Sequence, residues 1–162
     1  MSKSYNMTGW RLGFVAGAAK AVQAFAAVKD NSDSGQFKAI QHAACAGIAD
    51  RALAESIREH YRKRLERIVE VLKNAGFESE MPGGTFFLYT KAPTGAGDLE
   101  FATAEDASQY LIRECSVSTV PWDNVGAFLR FSATFESKGE DDDARVLDEL
   151  AERLKSSNLR FS

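Results

Sequence analysis

Apolar residues recur along this chain with two different periods, and the change between them divides it. In the first half the spacing is helical. Ile40, Ala44 and Ile48 share one face of a segment of small residues, which predicts a helix over 37–49. Leu53, Ile57, Tyr61, Leu65, Ile68 or Val69, and Leu72 then recur every three or four residues and predict a long helix. Asp50 is placed to cap it and Asn74-Ala75-Gly76 to end it. Its other face carries Arg58, Arg62, Lys63, Arg64 and Arg67 interrupted by Glu59, Glu66 and Glu70, and reads as a solvated surface or as part of a dimer interface. Upstream, alanine-rich 18–28 predicts another helix, halted by the turn-forming cluster Asp30 to Gly35. Leu12 to Gly17, a short apolar run between glycines, predicts a buried strand.

After Gly76 the runs become short, β-branched and aromatic. Phe77-Glu78-Ser79 and Thr85 to Tyr89 predict strands around the turn at Pro82-Gly83-Gly84, and residues 91–102 predict a loop. Thr103-Ala104-Glu105-Asp106 fits a capping box opening a helix to Glu114. Val117 to Val120 predicts a strand stopped by Pro121, and Phe128 to Phe135 predicts another. Glu140 to Asp143 places acid at the start of a last helix to about Lys155, which suits the helix dipole. The order predicts an α/β protein. Its part from about residue 60 is a compact α+β unit, a small antiparallel or mixed sheet covered by helices. The first 50 residues do not look self-sufficient, because a lone strand must pair with something.

Composition narrows the function. The 162 residues are 44% hydrophobic, and 20 basic side chains stand against 23 acidic ones for a net charge of −3. That balance excludes binding nucleic acid through bulk positive charge. No uncharged apolar run approaches a membrane span, and the first residues do not resemble a signal peptide. The two cysteines, Cys45 and Cys115, are too few for a disulfide framework and read as buried thiols of a reducing compartment, so a cytoplasmic location is expected. His42 and His60 have no acid or cysteine at metal-ligand spacing, so no metal site is expected.

The chemistry gathers in Ser2-Lys3-Ser4-Tyr5-Asn6-Met7-Thr8-Gly9-Trp10-Arg11-Leu12-Gly13. An imine-forming lysine works partly neutral and near other positive charge, and an arginine fork matches phosphate. Lys3 and Arg11 therefore suit a site for a phosphorylated aldehyde cofactor, although spacing alone also fits a polar tail with two basic residues. Farther on, Val120-Pro121-Trp122-Asp123 precedes Gly126-Ala127-Phe128-Leu129-Arg130-Phe131-Ser132. Between Leu129 and Phe131, Arg130 points away from both, which suits either a carboxylate clamp or a solvent-facing strand position.

Both segments resemble signatures of the fold-type I, class I/II aminotransferases that depend on pyridoxal 5'-phosphate. The resemblance implies that Lys3 binds the cofactor covalently and is the catalytic base, that Arg11 holds its phosphate, and that Arg130 grips the substrate α-carboxylate. Pro82-Gly83-Gly84-Thr85-Phe86-Phe87 resembles the glycine-led strand of the family's small domain. The loop Asn31-Ser32-Asp33-Ser34-Gly35-Gln36-Phe37 falls where the family reaches toward the partner subunit's site, which implies a substrate-binding Asn31. Within the family, Tyr-Asn-Met-Thr-Gly-Trp-Arg, Asp-Ser-Gly-x-Phe and Leu-Arg-Phe-Ser look most like LL-diaminopimelate aminotransferases. The resemblance further implies amino-acid and 2-oxo-acid substrates and a homodimer. It makes residues 1–50 the end of the cofactor-binding large domain, and residues 51–162 the small domain with its long connecting helix. Because the match covers only the later part of the family pattern, the expectation is a C-terminal portion that does not transaminate by itself. The alternative is a non-catalytic dimerisation or ligand-binding module derived from that small domain.

Overall fold

A computed structural model describes residues 1–161. Its five helices among the described residues are α1 (Ala19–Asp30), α2 (Lys38–Ala49), α3 (Arg51–Asn74), α4 (Ala104–Cys115) and α5 (Glu140–Lys155). Its strands are β1 (Phe87–Lys91), β2 (Gly95–Ala96), β3 (Leu99–Glu100), β4 (Val120–Trp122), β5 (Phe128–Ser132) and β6 (Leu159–Arg160). The chain divides into two compact units, Met1–His60 and Tyr61–Ser162, with the division inside α3.

The first unit is helical and thinly packed. Helices α1 and α2 form where alanine-rich sequence predicts them, and the Asp50 carboxylate accepts from the Leu53 amide at 3.1 Å to cap α3. Leu12 and Ala44 are its buried apolar side chains. The strand expected over 12–17 does not form, and Phe14 and Val15 are 68% and 51% exposed. Among the described residues no segment pairs with it, and extended chain becomes a strand only by sharing hydrogen bonds with a neighbour. Cys45 is exposed, contrary to expectation, because the buried face of α2 centres on Ala44. Cys115 is buried as expected, and burial pushes its thiol pKa up.

The second unit holds the core. Sheet order is β1-β5-β4, all antiparallel, with Leu88, Leu129 and Phe131 buried on one face. Against that core pack Leu65, Ile68 and Leu72 of α3, Leu111 of α4, and Leu147 and Leu154 of α5. The alternation of period two along β5 puts Phe128, Arg130 and Ser132 on the opposite face. Helix α4 begins in the expected capping box: Thr103 Oγ1 accepts from the Asp106 amide at 3.1 Å, and Asp106 Oδ2 from the Thr103 amide at 3.0 Å.

Several elements differ from expectation for identifiable reasons. Phe77–Ser79 is not a strand, because the Phe77 amide closes α3 onto Leu72 O at 2.9 Å and the Ser79 amide turns back to Phe77 O. Strand β1 starts two residues late, since Thr85 Oγ1 accepts from the Phe87 amide in a local turn. Pro121 lies inside β4 rather than stopping the strand, which is possible because β4 is a sheet edge. The expected loop 91–102 contains β2 and β3, which pair with β6 in a second small sheet. Two-residue strands are too short to show alternation. Arg64, expected on the solvated face of α3, is buried against Asp143.

Gly76 ends α3 with φ of +96°, and a Cβ there would meet the Phe161 ring at 2.8 Å. Gly76→Ala combines backbone strain with a clash. It is expected to destabilise the second unit by about 1–3 kcal/mol. An unchanged urea midpoint would show that the Phe161 ring yields freely.

Candidate active site

Arg130 occupies the middle of the central strand. Across the register it faces Tyr89 of β1 and Val120 of β4, while Phe128 faces Lys91 and Trp122. The outward face therefore shows Phe87, Tyr89, Phe128 and Trp122 around one guanidinium. Tyr89 stacks on Phe128 with centroids 4.7 Å apart and planes at 9°. The Arg130 guanidinium lies over the Phe87 ring at 4.3 Å. Lys91, on the same face, is spent on Glu78 at 3.0 Å. Among the described residues Arg130 has no hydrogen bond and no ion pair, so its donors remain available. An arginine in that state can take a carboxylate through two parallel hydrogen bonds. Asp123 Oδ1 accepts from the Ala104 amide at 2.7 Å and fastens the end of β4 to the start of α4, which steadies the margin of this face.

Lys3, Arg11 and Asn31 belong to the first unit. Residues 8–10 form a single 3-10 turn, and Thr8 Oγ1 donates to Ser2 O at 2.8 Å, drawing the segment into a compact loop. Asn6 and Arg11 flank the turn with φ of 53° and 52°. Left-handed backbone is easy for asparagine and costs an arginine about 1 kcal/mol, and strain of this kind collects at ligand sites. Arg11 donates one Nη1 hydrogen to Thr8 O at 3.3 Å and is otherwise exposed. Lys3 is exposed too, and among the described residues its amine has no partner. Asn31 ends α1, its Nδ2 donating to Ala27 O at 2.8 Å, which leaves Oδ1 for another group.

The donor set on the first unit is one amine and one guanidinium, neither paired with an acid among the described residues, on a strained and locally tied loop. That chemistry fits a group carrying an aldehyde and a phosphate. Sequence reasoning found the cations and missed the aromatic side chains around Arg130. The signal was present: Phe87 and Tyr89 share one parity on β1, as Phe128 and Arg130 do on β5, but only the register sets the two rows side by side.

The family described as aminotransferase class I and II matches residues 1–150, and this chain belongs to it. It is 47% identical over 99% of its length to the LL-diaminopimelate aminotransferase of Methanocaldococcus jannaschii, and 51% identical over 99% to that of Methanococcus maripaludis. It spans about 40% of the length of each of these curated relatives. Among solved structures it is similar to substrate-bound BacF from Bacillus subtilis, with TM-score 0.81 and 29% identity over 99% of this chain and 39% of that one. It is also similar to the aspartate aminotransferase of Rhizobium meliloti, with TM-score 0.77 and 25% identity over 98% of this chain and 40% of that one. Fold-type I aminotransferase architecture, and with it pyridoxal phosphate as the cofactor of the complete enzyme, follow from membership. Among the described residues no helix is long and apolar enough to cross a membrane.

Proposed function

We propose that this chain is the small domain, with the adjoining end of the cofactor domain, of an enzyme that moves an amino group between glutamate and a 2-oxo acid. The observation that carries the reading is the Arg130 guanidinium on an aromatic strand face, without an ion pair among the described residues, where a carboxylate is the complementary ligand. The names of the relatives narrow the acceptor to the LL-diaminopimelate couple of lysine biosynthesis. A cytoplasmic homodimer is the assembly and location that suit such an enzyme.

Each residue then has a definite task. Pyridoxal phosphate, when bound, supplies the electron sink that lets a bond to the substrate α-carbon break. Lys3 Nζ would hold the cofactor at its aldehyde group, and its amine would serve as the base that takes the substrate α-proton and returns it. Arg11 would hold the phosphate, its exposed guanidinium keeping donors beyond the one that it gives to Thr8 O. Arg130 would fix the substrate by its carboxylate, through two parallel hydrogen bonds. Asn31 offers Oδ1 to a polar group of the substrate.

Reductive trapping tests the reading. The purified chain, or a polypeptide of the relatives' length containing it, is mixed with pyridoxal phosphate, reduced with borohydride and mapped by peptide mass. Most of the pyridoxyl adduct is expected on Lys3 and lost in Lys3→Ala. Adducts spread over the surface lysines, with none preferred at Lys3, would sink the assignment.

A further inference from the structure

The geometry points to Phe87 as the positioning residue of the carboxylate clamp, acting through Arg130 rather than on the bound molecule. The inference rests on the reading of Arg130 as that clamp. A clamp must satisfy two demands that usually conflict. Its side chain has to be held in one rotamer, since a free arginine gives up rotamer entropy when it binds. Yet the ordinary way of holding a guanidinium, by hydrogen bonds from its N–H groups, spends the donors the ligand needs. Arg64 shows that ordinary way in the same unit, since its N–H groups are committed to Asp143, Ala133 O, Phe135 O and Ser137.

Arg130 is held differently. It sits over the Phe87 ring at 4.3 Å and makes no protein hydrogen bond among the described residues. Contact with the face of a ring draws on the cation's charge and uses no N–H donor. Phe87 is not directly opposite Arg130 but one pleat along, opposite Ser132, so the guanidinium leans diagonally across the strands. The position directly opposite is Tyr89, whose ring is turned onto Phe128. Phe87 is itself braced. Its ring meets Phe86 edge-on at 4.6 Å, and Phe86 meets Tyr61 of α3 at 5.3 Å. A continuous row of rings thus runs from the connecting helix to the clamp, and each member is fixed by the one behind it.

The test is binding of succinate to the 15N-labelled chain, followed on the Arg130 Nε–Hε resonance, which Arg130→Lys identifies by deleting it. In the wild-type chain succinate is expected to move this resonance. Phe87→Leu is expected to shift the free resonance away from its ring-shielded position and to weaken succinate binding about 3- to 10-fold. The β1 and β5 amide signals and the urea midpoint should stay in place, and Phe87→Tyr should restore both readouts. Phe87→Met, unbranched and flexible, gives the same comparison if leucine disturbs the sheet. Wild-type affinity in Phe87→Leu alongside lost binding in Arg130→Lys overturns the role of Phe87 and leaves the clamp standing. Unchanged binding in Arg130→Lys, or no wild-type response to succinate, overturns the clamp and this inference with it.

Discussion

Arg64→Ala is expected to destabilise the second unit by about 3–5 kcal/mol, the usual cost of removing one partner from a buried ion pair. Few side chains in the molecule are so completely committed. Nε and Nη2 meet the two Asp143 carboxylate oxygens at 2.9 and 2.7 Å, in the two-pronged geometry that makes arginine pairs strong. Nη1 donates to Ala133 O at 3.0 Å and to Phe135 O at 2.8 Å, and Nη2 also donates to Ser137 Oγ at 2.5 Å. The Phe135 ring covers the guanidinium at 4.1 Å. The side chains of Arg64 and Asp143 are only 7% and 15% exposed, so the alanine variant leaves a carboxylate and two carbonyls with little access to water. Arg64→Lys keeps the charge, but three N–H donors on one nitrogen cannot serve the four acceptor groups around the guanidinium, and it should fall between. Urea unfolding followed by helical circular dichroism measures both. A midpoint in Arg64→Ala equal to wild type would mean that water replaces the network at no cost.

Arg130→Ala has the second large effect, and it falls on substrate choice. In a polypeptide of the relatives' length, kcat/KM for amino acids is expected to drop by about 30- to 5,000-fold, equivalent to about 2–5 kcal/mol of a hydrogen-bonded charge pair. Amines without a carboxylate should be unaffected, because they never engage the clamp. The ratio of the two substrates is the informative measurement. A parallel fall for both would place Arg130 in the scaffold instead. Stability should change little, since among the described residues Arg130 has no partner to abandon beyond the Phe87 ring.

The helices were legible because each carries its signal locally. Asp50 caps α3, Thr103 and Asp106 close a capping box on α4, and acid opens α5, all within one turn of the residues they serve. Strands were legible only where they were long enough to alternate. Residues 128–132 gave five positions of alternation and were found, whereas β2, β3 and β6 gave two each and were not. The segment 12–17 has the composition of a buried strand, but pairing is a property of two segments, and the described residues supply only one.

Arg64 was misplaced for a related reason. Its neighbours Arg62, Lys63 and Arg67 are exposed, and its charge groups it with them, although three residues after Tyr61 and four before Ile68 it lies on the apolar face. What buries it is Asp143, 79 residues later, reached only when α5 packs across α3. The candidate site divides in the same way. Lys3, Arg11 and Arg130 are visible in one dimension, since their chemistry depends on residue type and on spacing within a short segment. The aromatic face around Arg130 is not, because Phe87 and Tyr89 come more than 30 residues before Phe128 and Arg130, and only the antiparallel register places them side by side. The sequence by itself therefore determined which cations are available and which strand carries the clamp. The tertiary structure decided which cation is spent on an internal acid and which is held on a ring with its donors open, because that depends on partners remote along the chain.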